Sequence, residues 1–217
     1  MNPALPKTLP RFLRWFSSQC VLRQLDPSDV PRIWHALQHP AYERCWTGSI
    51  PDSEDAVAAF VRDAQTDWAR GTRYVLAVQR KQTQDFIGWV EARAHGSATQ
   101  RGVWTLDWFI HPGFIASSLA LEALAASCDL MMNAVDARIL CVNCPVSHEL
   151  FEMLLRTTGF AQHVPAGSLD PATAAPRVQS LFVMTKRDWL AARHAAANGG
   201  PATLGGYTEP KLELSLL

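Results

Sequence analysis

The spacing of apolar residues along the chain changes between two periods, and each period predicts one type of element. In residues 21–25 apolar and polar side chains alternate, which is typical of a half-buried strand. In residues 28–37 the apolar residues recur at helical spacing, so one face of a helix is apolar. These patterns predict seven strands, at 21–25, 74–78, 86–94, 102–110, 139–143, 162–164 and 178–185. They also predict five helices. The second helix begins between residues 51 and 54 and ends at Gly71, and the others lie at 28–37, 115–135, 147–158 and 187–197.

Capping residues and helix breakers set several of these boundaries. Asp52 or Ser53 can accept hydrogen bonds from the free N–H groups at the start of the second helix, and Gly71 stops that helix. Pro112 ends the strand at 102–110, because proline removes a donor from the ladder. Three adjacent strands followed by helix, strand, helix and strand predict an α+β fold, in which a sheet carries helices on both faces.

The two ends of the chain differ in composition from its middle, and this difference predicts three segments. Residues 1–20 form a basic and aromatic arm, residues 21–197 a single folded domain, and residues 198–217 a flexible tail. The arm could bind a membrane surface or a partner through its apolar residues. We favour packing on its own domain or on a second copy of the chain, so a homodimer is one expected assembly.

Charge and composition exclude several classes of protein. Twenty basic residues balance 20 acidic ones, so the chain lacks the positive charge that captures nucleic acid or anionic membranes. A hydrophobic content of 48% excludes intrinsic disorder. No apolar run reaches the roughly 18 residues that a spanning helix needs, and arginines interrupt the first run, unlike in a signal peptide. We therefore expect a folded cytoplasmic protein with no membrane span and no nucleic-acid partner.

The five cysteines are irregularly spaced, unlike the disulfide framework of a small secreted protein. One close pair, Cys141 and Cys144, has the spacing of half a zinc site or of a redox pair. A zinc site would need a second such pair or two histidines at ligand spacing, and the sequence offers neither. We expect reduced thiols in the cytoplasm and no bound metal.

Several motifs occur in an order that is found in a known superfamily. They are the strand at 21–25, Asp-Phe-Ile-Gly at 85–88, the aromatic strand and turn at 102–112, the Leu-rich stretch at 119–124, and Leu-Leu-Arg-Thr-Thr-Gly-Phe at 154–160. In this order they resemble the GNAT superfamily of acyl-CoA N-acyltransferases, and within it the branch that acetylates ribosomal-protein N-termini and related amines. The resemblance covers residues 21–185 and implies a mixed, mostly antiparallel central sheet with helices on both faces.

This resemblance implies acetyl-CoA as the co-substrate and indicates where it would bind. The exposed backbone of the fourth family strand would meet the pantetheine amides, and a Gly-rich turn before a helix would direct N–H groups at the pyrophosphate. In this chain the turn lacks the family's basic residue and both glycines, but Ala and Ser are small replacements that keep the N–H groups. The positions so assigned to the co-substrate are Phe109, Ile110, His111, Ile115, Ala116, Ser117, Ser118, Leu119 and Ala120.

The resemblance also indicates candidate catalytic residues. Family members use a strand carboxylate to remove a proton from the amine, so Glu91 and Asp107 are candidate bases, although a salt bridge to Arg93 would explain Asp107 equally well. His148 stands where the family often has asparagine, and Leu155 where it often has a tyrosine that protonates the leaving thiolate. Because leucine cannot carry a proton, His148 is the candidate acid, and a histidine with no catalytic role is the alternative.

Two functions from different classes follow from these observations. The first is an acetyl-CoA-dependent N-acetyltransferase, in which a protein N-terminus or a small amine attacks the thioester directly. The second is a protein of the same fold that has lost catalysis and serves as a binding or scaffold module, as the departures in the loop indicate. An acyltransferase that uses a different acyl-CoA is a third possible function. We favour the first, because a helix terminus binds anions through N–H groups that side-chain changes leave in place.

Overall fold

A computed structural model of the protein describes residues 8–41, 51–95, 102–145, 148–164, 179–197 and 212–213. Within these residues the chain forms nine strands and five helices. The strands are β1 (Arg14–Phe16), β2 (Cys20–Gln24), β3 (Arg73–Arg80), β4 (Phe86–Ala94), β5 (Val103–Ile110), β6 (Ile139–Pro145), β7 (Ala161–Val164), β8 (Gln179–Thr185) and β9 (Leu212–Glu213). The helices are α1 (Val30–Leu37), α2 (Glu54–Arg70), α3 (Ser118–Asn133), α4 (Glu149–Thr158) and α5 (Lys186–Ala197).

All nine described strands belong to one sheet, in the order β7-β8-β6-β5-β4-β3-β2-β1-β9. Each neighbouring pair is antiparallel except β5 and β6, which are parallel. This architecture confirms the predicted α+β fold with a mixed, mostly antiparallel sheet. The seven predicted strands and five predicted helices are all present, with ends shifted by a few residues.

Helices cover both faces of the sheet and bury two apolar clusters. On one face, α1 and α2 contribute Ile33 and Val61 to a cluster that includes Phe109 of β5. On the other face, α3 and α4 contribute residues such as Leu124 and Leu155 to a larger cluster. Successive residues of β5 therefore point alternately into one cluster and into the other.

The boundaries of α2 follow from the local signals in the sequence. The Ser53 hydroxyl accepts a hydrogen bond from the N–H of Ala56 at 3.2 Å, and Gly71 ends the helix with a left-handed φ of 69°. Both residues confirm the prediction. The helix predicted at 115–135 instead begins at Ser118, because the preceding residues fold into turns that close at Phe114 and Ser117.

The N-terminal arm packs on its own domain over residues 8–20. Leu13 and Trp15 are buried, and the Leu9 carbonyl accepts a hydrogen bond from the Trp68 indole at 3.1 Å. Short strands β1 and β9, which the sequence patterns did not predict, pair with each other and lengthen the sheet. Residues 1–7 and the tail on either side of β9 lie outside the described residues.

A single carboxylate on α3 holds the turn between β1 and β2. Glu122 is buried and accepts hydrogen bonds from the Ser17 and Ser18 hydroxyls, from the Gln19 backbone and side-chain amides, and from the Cys20 N–H. Hydrogen bonds to a charged acceptor contribute about 1.5–3 kcal/mol each before desolvation is counted. The arm is thereby tied to the helix that begins immediately after the predicted cofactor loop.

Candidate active site

A gap opens in the middle of the sheet where β5 and β6 separate. The two parallel strands pair at only three positions, the last of which joins Thr105 to Cys141. Beyond that point β5 continues to Ile110, paired on its other side with β4, and β6 continues to Pro145, paired on its other side with β8. The facing edges of β5 and β6 therefore present backbone N–H and C=O groups that no neighbouring strand of the described chain covers.

Gly88 of β4 fixes the end of β5 beside this gap. A Cβ atom at this glycine would lie 2.0 Å from the backbone oxygen of Phe109, so only glycine permits the observed approach of the two strands. Next to this contact, the N–H of His111 donates to the Ile87 carbonyl at 2.7 Å. The end of β5 is thus held firmly against β4 while its other edge stays open.

The predicted cofactor loop leads from β5 into α3 at the open end of the gap. The Ser117 hydroxyl donates to the Phe114 carbonyl at 2.6 Å, and the N–H of Ala120 donates to the Ser117 carbonyl at 3.1 Å. Ser118 and Leu119 lie in the first turn of α3, where backbone N–H groups have no acceptor within the helix. Such N–H groups, together with the dipole of the helix, favour a negatively charged group at this end of α3.

The predicted contact residues at the end of β5 can reach a ligand only through their backbone. The Phe109 ring is buried and stacks on Trp89 with ring centroids 4.2 Å apart, and the Ile110 side chain is buried in the opposite cluster. His111 lies beyond the end of the strand and is partly exposed. In the loop, Ile115 is also partly exposed and Ala116 is exposed.

A basic residue that sequence reasoning missed lies against this loop. Arg80, at the end of β3, places its guanidinium carbon 5.2 Å from the centroid of the Phe114 ring. The same guanidinium lies 3.6 Å from a carboxylate oxygen of Asp85. No local motif identifies Arg80, because the fold rather than the sequence brings β3 beside the loop. It provides positive charge near the position where the family's own basic residue is missing.

The two candidate bases lie opposite each other on β4 and β5, and arginines hold both of them. Glu91 pairs with Asp107 in the strand register, and both side chains are buried. The Arg73 Nε atom lies 2.5 Å from Glu91 Oε1, and the Arg93 Nε atom lies 3.3 Å from the same oxygen. Arg93 also forms an ion pair with Asp107. The structure therefore contains the salt bridge to Arg93 that the sequence offered as the non-catalytic explanation of Asp107.

The candidate acid, His148, lies at the start of α4, just past the end of β6 on the open side of the gap. Its side chain is 8% exposed, and its Nδ1 atom has no hydrogen-bond partner among the described residues. Burial lowers the pKa of this imidazole, so the neutral form predominates at neutral pH. Leu155, two turns further along α4, is fully buried in the core.

Trp108, which belongs to the aromatic strand noted in the sequence, carries a further polar group without a partner among the described residues. Its indole is 1% exposed and packs edge-on against Phe151 and Phe160, with centroids 5.9 and 6.2 Å away. The Nε1–H of this indole has no acceptor in the described part of the chain. Leaving a buried donor unpaired costs about 1–3 kcal/mol, so such groups call for an explanation.

The gap fits an extended ligand that carries amide groups. Uncovered strand edges on β5 and β6, the unpaired indole of Trp108 and the unpaired imidazole of His148 all lie where the two strands have separated. The pantetheine arm of acetyl-CoA has amides that can pair with such edges, as an added strand would. The first turn of α3 and Arg80 would then face its phosphates.

Comparison with known proteins agrees with this geometry. A family model described as an acetyltransferase (GNAT) domain matches residues 19–161, which confirms the resemblance found in the sequence. No curated protein sequence matches the chain. Among the described helices, none combines the length and apolar character needed to cross a membrane. Within the same residues, no cluster of three or more His, Cys, Asp or Glu side chains could hold a metal ion.

Several solved structures share the fold. RimJ of Mycobacterium smegmatis, in complex with CoA-disulfide, superposes with a TM-score of 0.68 at 16% identity, covering 90% of this chain and 98% of its own. A putative ribosomal-protein-serine acetyltransferase from Vibrio cholerae gives 0.63 at 15% identity, covering 85% and 99%. A chimera of the spermidine N-acetyltransferase SpeG from Vibrio cholerae and hSSAT gives 0.65 at 16% identity, covering 80% and 99%. At these identities the likeness concerns the fold.

Proposed function

Because the chain belongs to the GNAT acetyltransferase domain family, we propose that it transfers the acetyl group of acetyl-CoA to a primary amine. The acceptor in this proposal is a protein N-terminus or a small amine. The observation that carries the proposal is the separation of β5 from β6 after Thr105 and Cys141, which leaves two strand edges open beside a helix N-terminus. The described cysteines are free thiols, in keeping with the cytoplasmic location expected from the sequence.

Binding would use the backbone more than side chains. The open edge of β5, from Asp107 to Ile110, would pair with the pantetheine amides. The first-turn N–H groups of α3 would contact the pyrophosphate, with Arg80 supplying charge from the neighbouring hairpin. In this arrangement the side chains that replace the family's glycines would weaken the phosphate contacts, because a Cβ atom obstructs close approach to the backbone. The N–H groups that make these contacts would still be present.

Transfer requires that the attacking amine lose a proton and that the departing thiolate gain one. We assign the second role to His148, whose buried imidazole lies at the open side of the gap with its Nδ1 atom unpaired among the described residues. Because burial keeps this imidazole neutral at rest, it would first take up a proton that the amine releases and would then pass that proton to the thiolate. Glu91 and Asp107 stay candidate bases, but their contacts with Arg73 and Arg93 favour a positioning role for both. Orientation of the two substrates then provides much of the rate, as direct transfer in a preorganised site allows.

Cofactor binding can be tested before any acceptor is known. The thermal stability of the full chain would be measured with and without saturating acetyl-CoA. At a hundred times its dissociation constant a ligand adds about 2.7 kcal/mol, which for a chain of this size shifts Tm by about 5–11 °C. We expect such a shift, and we expect none with adenosine. A folded protein that shows no shift at millimolar acetyl-CoA would contradict the proposal.

Loss of catalysis is the second candidate function, and specific observations favour it. The residue at the family's tyrosine position, Leu155, is fully buried in the core, and both loop glycines are absent. In that case the protein would be a binding or scaffold module, with or without a bound acyl-CoA. A thermal shift with acetyl-CoA but no thiol release with any amine would identify this outcome.

The acid assigned to His148 has its own test once an acceptor is found. Release of free CoA would be followed with polyamines and with peptides that have free N-termini, since the structural neighbours include a spermidine N-acetyltransferase chimera and a putative ribosomal-protein-serine acetyltransferase. His148→Gln should lower kcat by about a hundredfold while acetyl-CoA affinity stays unchanged. His163→Gln, at an exposed position on β7, is the matched control. Equal kcat in the two variants would exclude His148 as the acid.

A further inference from the structure

A cavity of about 440 Å³ lies beside the predicted cofactor loop but on the other side of it from the gap between β5 and β6. Helix α1 lines it with Arg32 and His35, the turn between β3 and β4 with Asp85, and the loop with His111 and Phe114. Three separate elements thus bring polar side chains to one concave site. Of these residues only His111 has a role assigned above, as a predicted contact of the co-substrate.

Among the described residues, Arg32 has no carboxylate at hydrogen-bond distance. The nearest one in this part of the chain belongs to Asp29, at 3.7 Å, and Asp29 already accepts two hydrogen bonds from Arg23, at 2.6 and 2.7 Å. The one acidic residue among the described lining, Asp85, accepts a hydrogen bond from the Thr83 hydroxyl at 2.5 Å and lies 3.6 Å from Arg80. Asp85 is therefore engaged within its own hairpin and does not pair with Arg32.

Imidazole rings add further donors around the same cavity. His111 lies with its ring centroid 5.5 Å from that of His39, which follows α1. The Nδ1 atom of His111 accepts the Gly113 N–H at 3.1 Å, and the Nδ1 atom of His39 accepts the Ala41 N–H at 3.1 Å. The His111 ring is thus neutral and carries its proton on Nε2, where it can act as a donor.

The surroundings of His111 oppose its protonation. Burial, then the neighbouring His39 and His35, lower the pKa of His111. An anion in the cavity would offset this effect and would accept hydrogen bonds from the His111 Nε2–H and from Arg32. Proton uptake by His111 would then accompany binding, so affinity would rise as the pH falls toward the pKa of His111.

We propose that this cavity binds a small oxyanion, a phosphate or carboxylate group, which is held by Arg32 and by the imidazoles of His35 and His111. Because His111 and Phe114 belong to the loop before α3, an anion here also contacts the predicted cofactor loop. Two sources share this chemistry. One is a phosphate of bound CoA, and the other is the anionic group of a separate molecule.

The test is isothermal titration of the full chain with inorganic phosphate near pH 6, and with sulfate near pH 6 and near pH 8, because phosphate itself loses a proton in this range and sulfate does not. We expect millimolar binding of both ions near pH 6 that weakens about tenfold in Arg32→Gln, and sulfate binding that is severalfold tighter near pH 6 than near pH 8. Arg70→Gln, which removes an exposed arginine from the far end of α2, is the charge-matched control and should bind as the wild type does. His111→Gln should reduce the pH dependence of sulfate binding.

Absence of phosphate binding near pH 6, or equal weakening by Arg32→Gln and Arg70→Gln, would overturn the proposal. The titration repeated with saturating CoA and with dephospho-CoA separates the two sources. If CoA competes with phosphate but dephospho-CoA does not, the cavity binds the 3′-phosphate of CoA. If CoA and dephospho-CoA both compete, it binds the pyrophosphate. If neither competes, the anion belongs to a separate ligand. Phosphate binding does not require acetyl transfer, so this site can be present even if the proposed enzymatic activity fails.

Discussion

The two sides of strand β5 differ sharply in how their polar groups are satisfied. On the side of β4 the strand is paired along its length, and Glu91 and Asp107 are held by Arg73 and Arg93. On the side of β6 pairing stops after Thr105, and beyond it the strand edges are uncovered. The first side has the features of a scaffold, in which each buried charge has a partner.

The second side has features typical of a ligand-binding site. Trp108 and His148 are buried there with polar atoms that have no partner in the described chain. The carboxylates that a sequence search selects first are the satisfied ones, while the indole and imidazole carry the stronger structural indication of ligand contact.

Replacing Gly88 should disrupt the pairing of β5 with β4, and we expect it to have the largest effect on stability. In Gly88→Ala the new methyl group would lie 2.0 Å from the Phe109 carbonyl oxygen, so β4 and β5 would have to move apart. We expect a loss of about 3 kcal/mol or more of unfolding free energy in urea titrations, or an insoluble protein. Gly113→Ala meets only the His111 side chain, at 3.3 Å, and should cost less than about 1 kcal/mol. Equal stability of the two variants would contradict the tight approach of β4 and β5.

Glu91→Gln should show whether the arginine-bound carboxylates act as scaffold. Removing the charge leaves Arg73 and Arg93 without their shared partner, and both arginines are partly exposed. We therefore expect a cost of about 2 kcal/mol, between the values for exposed and for fully buried pairs. A double-mutant cycle with Arg73→Gln should recover part of this cost as coupling energy.

The opposite outcome would identify a catalytic base. If Glu91→Gln keeps wild-type stability but removes the acidic limb of the pH profile of kcat/KM, where protonation inactivates a base, the carboxylate takes the proton from the amine. The same comparison applies to Asp107→Asn. Measuring stability and rate on the same samples keeps the two roles apart.

Local signals predicted most of the fold because they depend on neighbouring residues. Ser53 and Gly71 bound α2 through interactions within one turn, and they were identifiable from the sequence. Strand β1 was missed because Arg14–Phe16 becomes a strand only by pairing with β2. The start of α3 was placed too early, since Ile115 and Ala116 fit a helical pattern and the turns that exclude them depend on backbone hydrogen bonds.

Contacts between distant strands could be predicted only in part. Asp107 was identified from the sequence because a carboxylate is costly in an aromatic strand. An ion pair with Arg93 was the alternative to a catalytic role for this residue. Arg73 and Arg80 were not identified, since they reach the site from β3. Nothing in the sequence shows that Trp108 lacks an acceptor, because that depends on where β5 leaves β6.

Trp108→Phe tests whether the indole on the β6 side of β5 binds a ligand. The substitution removes the unpaired Nε1–H, and if that group binds acetyl-CoA, affinity should fall about five- to tenfold. Trp104→Phe is the matched control, because it lies on the same strand and the same face within the part that pairs with β6. Affinity would be measured by calorimetry. An equal loss of affinity in both variants would mean that core packing, and not the indole donor, is responsible.

The smallest expected effect concerns the pH dependence of stability. Burial lowers the pKa of His148 in the folded protein, whereas the unfolded chain binds a proton near the ordinary value of about 6.5. As the pH falls below that value the unfolded state gains a proton that the folded state resists, so the unfolding free energy decreases. His148→Gln should lose less stability than the wild type between about pH 7.5 and 5.5, as urea titrations would show. If the decrease is as steep in His148→Gln, the titrating group is elsewhere, and His111, whose pKa is also lowered, is the next to replace.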